Sequence, residues 1–375
     1  MTTRPTLEAA LALIDDWTVP QGAPGTALAV WHDGSVVGER YVGDATSGVP
    51  VTAETMFPLA SVTKPVVAAA ALSLVERGDV SLDESVARIV PEFRAGPDAS
   101  TPSVDLDLER LRQTVTVRQL LCHVSGLPED VWSREHRYFS ERGLDGIIDE
   151  MCRAPLQTAP GEELRYSNAG YGILTRVVET VSGESIWAIT QRAVLDPLGM
   201  TDTTPHPTPD QDVRIAFLAD SANAGTPHEA YNSTYWKNLG IPWAGLYGTP
   251  RDMVRFAGDC ISSDPVILSR TGMAIMTSDQ TLAVPGGVES AKVRWPIGSW
   301  GLGWEVKGVK RRHWTGDYTS PRTVCHFGQS GTLLWADPEV GVAVAVFSNR
   351  AVSHMWSFIH ARWARLSNAV IASLA

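Results

Sequence analysis

Apolar and polar positions follow two rhythms along this chain, and the change from one to the other outlines a fold. Residues 7–17 carry apolar positions at helical spacing. The runs 27–31 and 36–41 are β-rich and flank His32-Asp33-Gly34-Ser35, which predicts a hairpin turning on Asp-Gly. From 64 to about 259 the signals are mostly helical, interrupted by long loops containing Pro and Gly. Residues 169–181 read as a helix stopped by Ser182-Gly183, and Thr249-Pro250-Arg251-Asp252 opens another with Thr249 as its N-cap. Short apolar or alternating runs return at 302–306, 323–327, 332–335 and 341–347, and an amphipathic helix is predicted over 353–374. Strands at both ends with helices between predict an α+β fold. The N-terminal hairpin joins the C-terminal strands in one central antiparallel sheet flanked by helices, with a mainly helical region inserted. Cover on its faces would explain why the first and last strand segments are apolar.

Composition narrows the function classes. Hydrophobic residues make up 44% of the 375, enough for a substantial core. The net charge is -11 and no basic stretch occurs, so nucleic acid and anionic membrane surfaces are not expected partners. The first eight residues lack the apolar core of a signal peptide, and no uncharged apolar run is long enough to span a bilayer. A soluble, cytoplasmic protein is therefore expected. Cysteines at 122, 152, 260 and 325 are widely spaced, without a Cys-x-x-Cys pair, which predicts buried thiols rather than a zinc site or a disulfide framework.

The chain has only five lysines, at 64, 237, 292, 307 and 310, and one of them follows a serine by three positions. Ser61-Val62-Thr63-Lys64 sits in an apolar segment, Phe57 to Leu72. Three residues apart on a helix, the hydroxyl and the amine are neighbours. A lysine that loses hydration among apolar groups reaches its neutral form more easily, and a neutral amine can take the proton of a serine. A capping serine with an outward-reaching lysine would give the same letters, so other motifs must decide. Tyr166-Ser167-Asn168 follows a Pro-Gly turn and precedes a helix. Either Ser167 or Asn168 could simply cap that helix; alternatively Tyr166 relays protons and Asn168 offers an amide that donates and accepts. His326-Phe327-Gly328-Gln329 ends a late strand, where a glycine admits a ligand to the backbone and the next amide can donate to an oxyanion. No Gly-x-Ser-x-Gly elbow occurs, which disfavours an α/β-hydrolase, and no His-Glu-x-x-His, phosphate-binding loop or Gly-x-Gly-x-x-Gly, so neither a metal nor a nucleotide cofactor is expected.

In order and spacing, these three motifs resemble the serine β-lactamase and penicillin-binding-protein superfamily, and within it the class C β-lactamase-like group that includes the family VIII carboxylesterases. The similarity extends to residues 114–128, 160–170 and 331–338, to Phe347-Ser348-Asn349-Arg350, and so to about residues 10–372. It implies a single β-lactamase/transpeptidase-like catalytic unit, its α/β part formed by about 1–63 and 290–375 and its mainly helical part by about 64–289. It further implies that Ser61 is the nucleophile, with Lys64 and Tyr166 sharing the base and acid work. Asn168 would orient Lys64 and touch the acyl group, and the amides of Ser61 and Gln329 would form the oxyanion hole. Tyr247 falls where the family places an aromatic wall, and Asp130 lies in the opposite loop.

One departure bears on the substrate. His326 stands where β-lactamases and transpeptidases carry a lysine that holds a carboxylate, and histidine is only partly charged at neutral pH. His-x-Gly is familiar among the esterase-like members. The expected activity is thus that of a carboxylesterase-like serine hydrolase acting on small-molecule esters through an acyl-enzyme. The motifs fit equally an acyltransferase passing the acyl group to an alcohol or amine. An amide or D-amino-acid peptide hydrolase and a weak β-lactamase are further alternatives, and a non-catalytic scaffold is disfavoured by the three motifs together. Trp132, Tyr138, Phe139, Tyr235, Trp236 and Trp243 lie in loops expected beside the cleft and suggest either a roomy apolar pocket or ordinary packing.

Overall fold

The computed structural model describes residues 4–97, 105–131 and 142–374; Trp132, Tyr138 and Phe139 lie outside them. Two units are interleaved along the chain. The first comprises Met1–Thr63, Leu195–Met273 and Val306–Ala375, and the second Lys64–Val194 and Ala274–Glu305.

A seven-stranded sheet organises the first unit. In chain order its strands are β1 (Gly25–His32), β2 (Ser35–Thr46), β3 (Val49–Pro50), β4 (Glu305–Val306), β5 (Val324–Gly328), β6 (Thr332–Asp337) and β7 (Val342–Ser348). Across the sheet they run β3-β2-β1-β7-β6-β5-β4. As the pattern predicts, the N-terminal hairpin meets the C-terminal strands: β1 and β7 are antiparallel neighbours, from Thr26 opposite Ser348 to His32 opposite Val342. The hairpin turns on Asp33 and Gly34, both at positive φ (46° and 93°), the pair of angles a two-residue turn of this hand requires. Strand β7, Val-Ala-Val-Ala-Val-Phe-Ser, is buried at every position, so it reads as a continuous apolar run.

Helix Pro250–Asp259 packs on β1 and β7. Thr249 caps it by accepting the Asp252 N–H at 3.2 Å. Gly258 rests against the Trp31 indole so closely that a Cβ there would lie 2.6 Å from the ring. The C-terminal helix Val352–Leu374 has one non-helical residue, Met355 (φ -133°), and packs with helix Leu7–Leu11.

Helices dominate the second unit, with one departure from the expected pattern. Leu164–Arg165, Gly286–Val288 and Val293–Trp295 form a small three-stranded sheet that helical periodicity does not announce. Gly286 (φ 146°) allows the pairing, because a Cβ there would sit 2.0 Å from the Leu164 carbonyl oxygen. Helix Thr63–Arg77, which crosses from one unit into the other along the chain, is mainly apolar and buried throughout its first ten positions, Lys64 among them. Helix Asn168–Ser182 begins at Ser167, whose hydroxyl accepts the Gly170 N–H at 2.9 Å, and ends at left-handed Gly183. Among the described residues no helix is long and apolar enough to cross a membrane.

Candidate active site

In the first unit, Ser61 lies on a short 3-10 turn, Ala60–Val62, that leads into helix Thr63–Arg77. It is partly exposed, whereas Leu59, Ala60, Val62 and Thr63 are wholly buried. Ala60 is held at φ 47°, a left-handed conformation that costs an alanine on the order of 1 kcal/mol. Neighbouring groups hold the turn in place. The Leu59 N–H donates to the Leu246 carbonyl at 2.8 Å, and the Leu246 N–H donates to Thr63 Oγ1 at 3.1 Å. The Ser330 hydroxyl donates to the Pro58 carbonyl, and Thr332 Oγ1 donates to the Leu59 carbonyl at 3.0 Å. Gly328 lets β5 lie against this turn: a Cβ at 328 would come within 2.4 Å of the Leu59 carbonyl oxygen and 3.0 Å of Ala60 Cβ. Gln329 follows, half-buried, its carbonyl accepting the Val352 N–H at 2.8 Å.

His326 and Tyr247 belong to the same unit and are both buried. His326 Nδ1 lies 2.9 Å from the Phe327 carbonyl, which can only accept, so Nδ1 carries a proton. Tyr247 donates its hydroxyl to the Tyr231 carbonyl at 2.8 Å, and burial pushes its phenol well above the usual range. Tyr235 stacks edge-on with His228 and Trp236 lies on Tyr231, which is packing within the unit; Trp243 is fully buried.

The second unit holds the other named residues in one cluster. Lys64 is fully buried. Its Nζ donates to Asn168 Oδ1 at 2.7 Å, and Asn168 Nδ2 donates to Asp130 Oδ1 at 3.2 Å. The same Nζ lies 4.7 Å from the centre of the Tyr166 ring and 5.6 Å from that of Tyr171. The amide assigned from sequence to either a cap or a catalytic contact thus touches the lysine, while Ser167 does the capping.

The Tyr-Ser-Asn segment is held amide by amide. The N–H groups of Leu164, Arg165, Tyr166 and Asn168 donate to the carbonyls of Pro285, His123, Gly287 and Glu129 at 2.9, 2.8, 3.2 and 2.9 Å. The Ser167 N–H donates to the ring Nδ1 of His123 at 3.0 Å. His123, which no sequence argument singled out by itself, also lies on the Tyr166 ring at 4.5 Å between centroids and edge-on to Trp300 at 5.0 Å. A pocket of about 300 Å³ opens beside Tyr166, lined among others by Glu129, Arg165, Gly287, Glu289 and Lys292. Two of its lining residues, Arg165 and Arg294, donate to the Glu163 carboxylate at 2.9 and 2.7 Å.

Residues 12–368 match the family described as Beta-lactamase. The esterase EstB of Burkholderia gladioli is 30% identical over 365 residues, covering 88% of this chain and 87% of that protein. A crystal structure of a beta-lactamase from Mycobacterium bovis is 28% identical, covering 97% of this chain and 99% of that one with a TM-score of 0.65. A family VIII carboxylesterase shares the fold at 21% identity, with a TM-score of 0.76 over 98% of this chain and 96% of the other. Matched by the family over nearly its whole length and aligned with an esterase over most of it, the chain belongs to the beta-lactamase family, in its esterase-like group.

Proposed function

We propose that the protein hydrolyses small, uncharged carboxylic esters through an acyl-enzyme on Ser61. The observation that carries this reading is the chain Lys64–Asn168–Asp130, buried at its first two members, with Tyr166 beneath the lysine nitrogen. An amine taken out of water, oriented by a neutral amide and set against a phenol, is equipped to move protons rather than to decorate a surface. Ser61, one helical turn before Lys64 in sequence, would attack the ester carbonyl as its proton passes to the Lys64/Tyr166 pair. The amides of Ser61 and Gln329 would hold the oxyanion, the alcohol would leave with a proton returned through Tyr166, and water would release the acid.

The choice of ester over β-lactam rests on His326. Its Nδ1 proton is engaged by the Phe327 carbonyl. A buried imidazole is a poorer anchor for a substrate carboxylate than the ammonium it replaces. The name of the relative EstB agrees with this choice.

The test is a panel of p-nitrophenyl esters of increasing chain length, with nitrocefin alongside, for the wild type and for Ser61→Ala. Ester turnover should fall by at least about 10³-fold in Ser61→Ala, and esters should be preferred to nitrocefin. Undiminished turnover in Ser61→Ala would remove the mechanism, and brisk nitrocefin turnover without esterase activity would reverse the substrate assignment.

A further inference from the structure

Three consecutive residues, Arg165, Tyr166 and Ser167, are flanked by a single side chain and its own backbone. The His123 carbonyl accepts the Arg165 N–H at 2.8 Å, and the His123 ring accepts the Ser167 N–H through Nδ1 at 3.0 Å. Between these two bonds the imidazole lies against the Tyr166 phenol, 4.5 Å between centroids at an interplanar angle of 40°. A peptide N–H can only donate, so Nδ1 is the bare nitrogen of the ring and the proton belongs on Nε2. The ring is itself confined by Trp300 and by Tyr171, at 5.0 and 5.3 Å. His123 reaches this position with φ at 61°, wholly buried.

The ring bond has no substitute within the serine. Ser167 Oγ is committed elsewhere: it accepts the Gly170 N–H at 2.9 Å and donates to the Pro128 carbonyl at 2.6 Å. Ser167 is the N-cap of helix Asn168–Ser182, so its backbone sets both where that helix starts and where the preceding phenol points. We propose that His123, as the neutral Nε2–H imidazole, is a positioning residue for Tyr166. It fixes the backbone on either side of the tyrosine and bears on its ring. The catalytic consequence rests on the proton-transfer role given to Tyr166 above.

Two substitutions separate the parts of this role. His123→Asn keeps an acceptor oxygen near the place of Nδ1 and tolerates positive φ. His123→Leu keeps bulk and removes the acceptor. Three measurements are made: kcat and KM with p-nitrophenyl acetate, the ¹⁹F resonance of 3-fluorotyrosine placed at 166, and the ¹⁵N spectrum of the wild-type imidazole. His123→Leu should lower kcat by about 10²-fold with KM nearly unchanged, as expected when a proton-transfer group is misplaced. The ¹⁹F line should shift or broaden. His123→Asn should recover most of the rate and a wild-type ¹⁹F line, and the wild-type ring should show a bare Nδ1 and a protonated Nε2.

A His123→Leu protein with wild-type kcat and ¹⁹F line overturns the proposal, as does a protonated Nδ1 in the wild type. His123→Asn as defective as His123→Leu in both readouts also overturns it. If Tyr166→Phe and Ser61→Ala turn over esters normally, the catalytic reading has failed. The ¹⁹F and ¹⁵N results then still decide whether His123 positions the tyrosine.

Discussion

Replacing Gly328 with alanine is the sharpest single perturbation of the turn that carries Ser61. The added Cβ would sit 2.4 Å from the Leu59 carbonyl oxygen, 2.4 Å from Thr332 Oγ1 and 3.0 Å from Ala60 Cβ. Ordinary contact begins at 3.4 Å, so relief demands a displacement of 3.4 - 2.4 = 1.0 Å. The obstructing carbonyl is backbone and cannot swing aside. Its residue is tied by the Leu59 N–H to Leu246, and the carbonyl itself is held by the Thr332 hydroxyl. Either β5 or the 59–62 turn must therefore move. Overpacking of this kind costs about 1–3 kcal/mol of stability. A shift of that size at a nucleophile lowers kcat by about 10²-fold. Thermal unfolding and kcat/KM with p-nitrophenyl butyrate should both register it. A variant with wild-type melting and turnover would refute the reasoning. Reduced melting with full turnover would show that the turn's position does not govern the chemistry.

Three further outcomes follow from the same geometry. Asn168→Leu strips Lys64 Nζ of its 2.7 Å partner and should cost about 1.5–3 kcal/mol in urea unfolding together with a large fall in kcat, neither of which should appear if the contact is incidental. Burial raises the Glu163 carboxyl, but hydrogen bonds from Arg165 and Arg294 outweigh it and hold the group below its ordinary 4.5. A depressed carboxyl contributes stability that is present above pH 4.5 and lost as pH falls through the lower native value. The stability gap between wild type and Glu163→Gln should thus be widest near neutrality and close in acid, and a gap that stays constant with pH would contradict the assignment. All four cysteines are buried, and burial pushes the Cys122 and Cys152 thiols up to about 12. Ellman's reagent at pH 8 should therefore find no reactive thiol in the native protein and all four after denaturation.

What could be read in the letters divides along physical lines. The hairpin was legible because Asp33-Gly34 must turn at positive φ, and the helices at 168 and 250 because a serine and a threonine cap them. Strand pattern over 302–306 survives only as Glu305–Val306. Gly303 bends the chain there at φ 94°, where a Cβ would strike Ala68. Strands of two or three residues, such as Leu164–Arg165, are too short for a period to register. Helix Pro250–Asp259 shows its apolar face in sequence, but not that the face meets β1 and β7. At the candidate site, spacing alone paired Ser61 with Lys64, the letters offered Asn168 as either a helix cap or an amide contact, and the family resemblance brought in Asp130. His123 stayed hidden because the letter for histidine does not say which backbone amide its ring nitrogen accepts, or that its backbone is left-handed.

The pairing of β1 with β7 also dictates an order of events at the ribosome. Thr26 and Ser348 lie opposite each other but 322 positions apart in sequence. At about 5–20 residues per second, synthesis leaves β1 without that neighbour for roughly 16–64 s. Its first six residues are ones the finished protein buries, so the nascent hairpin must wait with a sticky edge exposed. Yield in a foreign host should accordingly depend on translation speed and chaperone supply more than on the equilibrium stability of the completed chain.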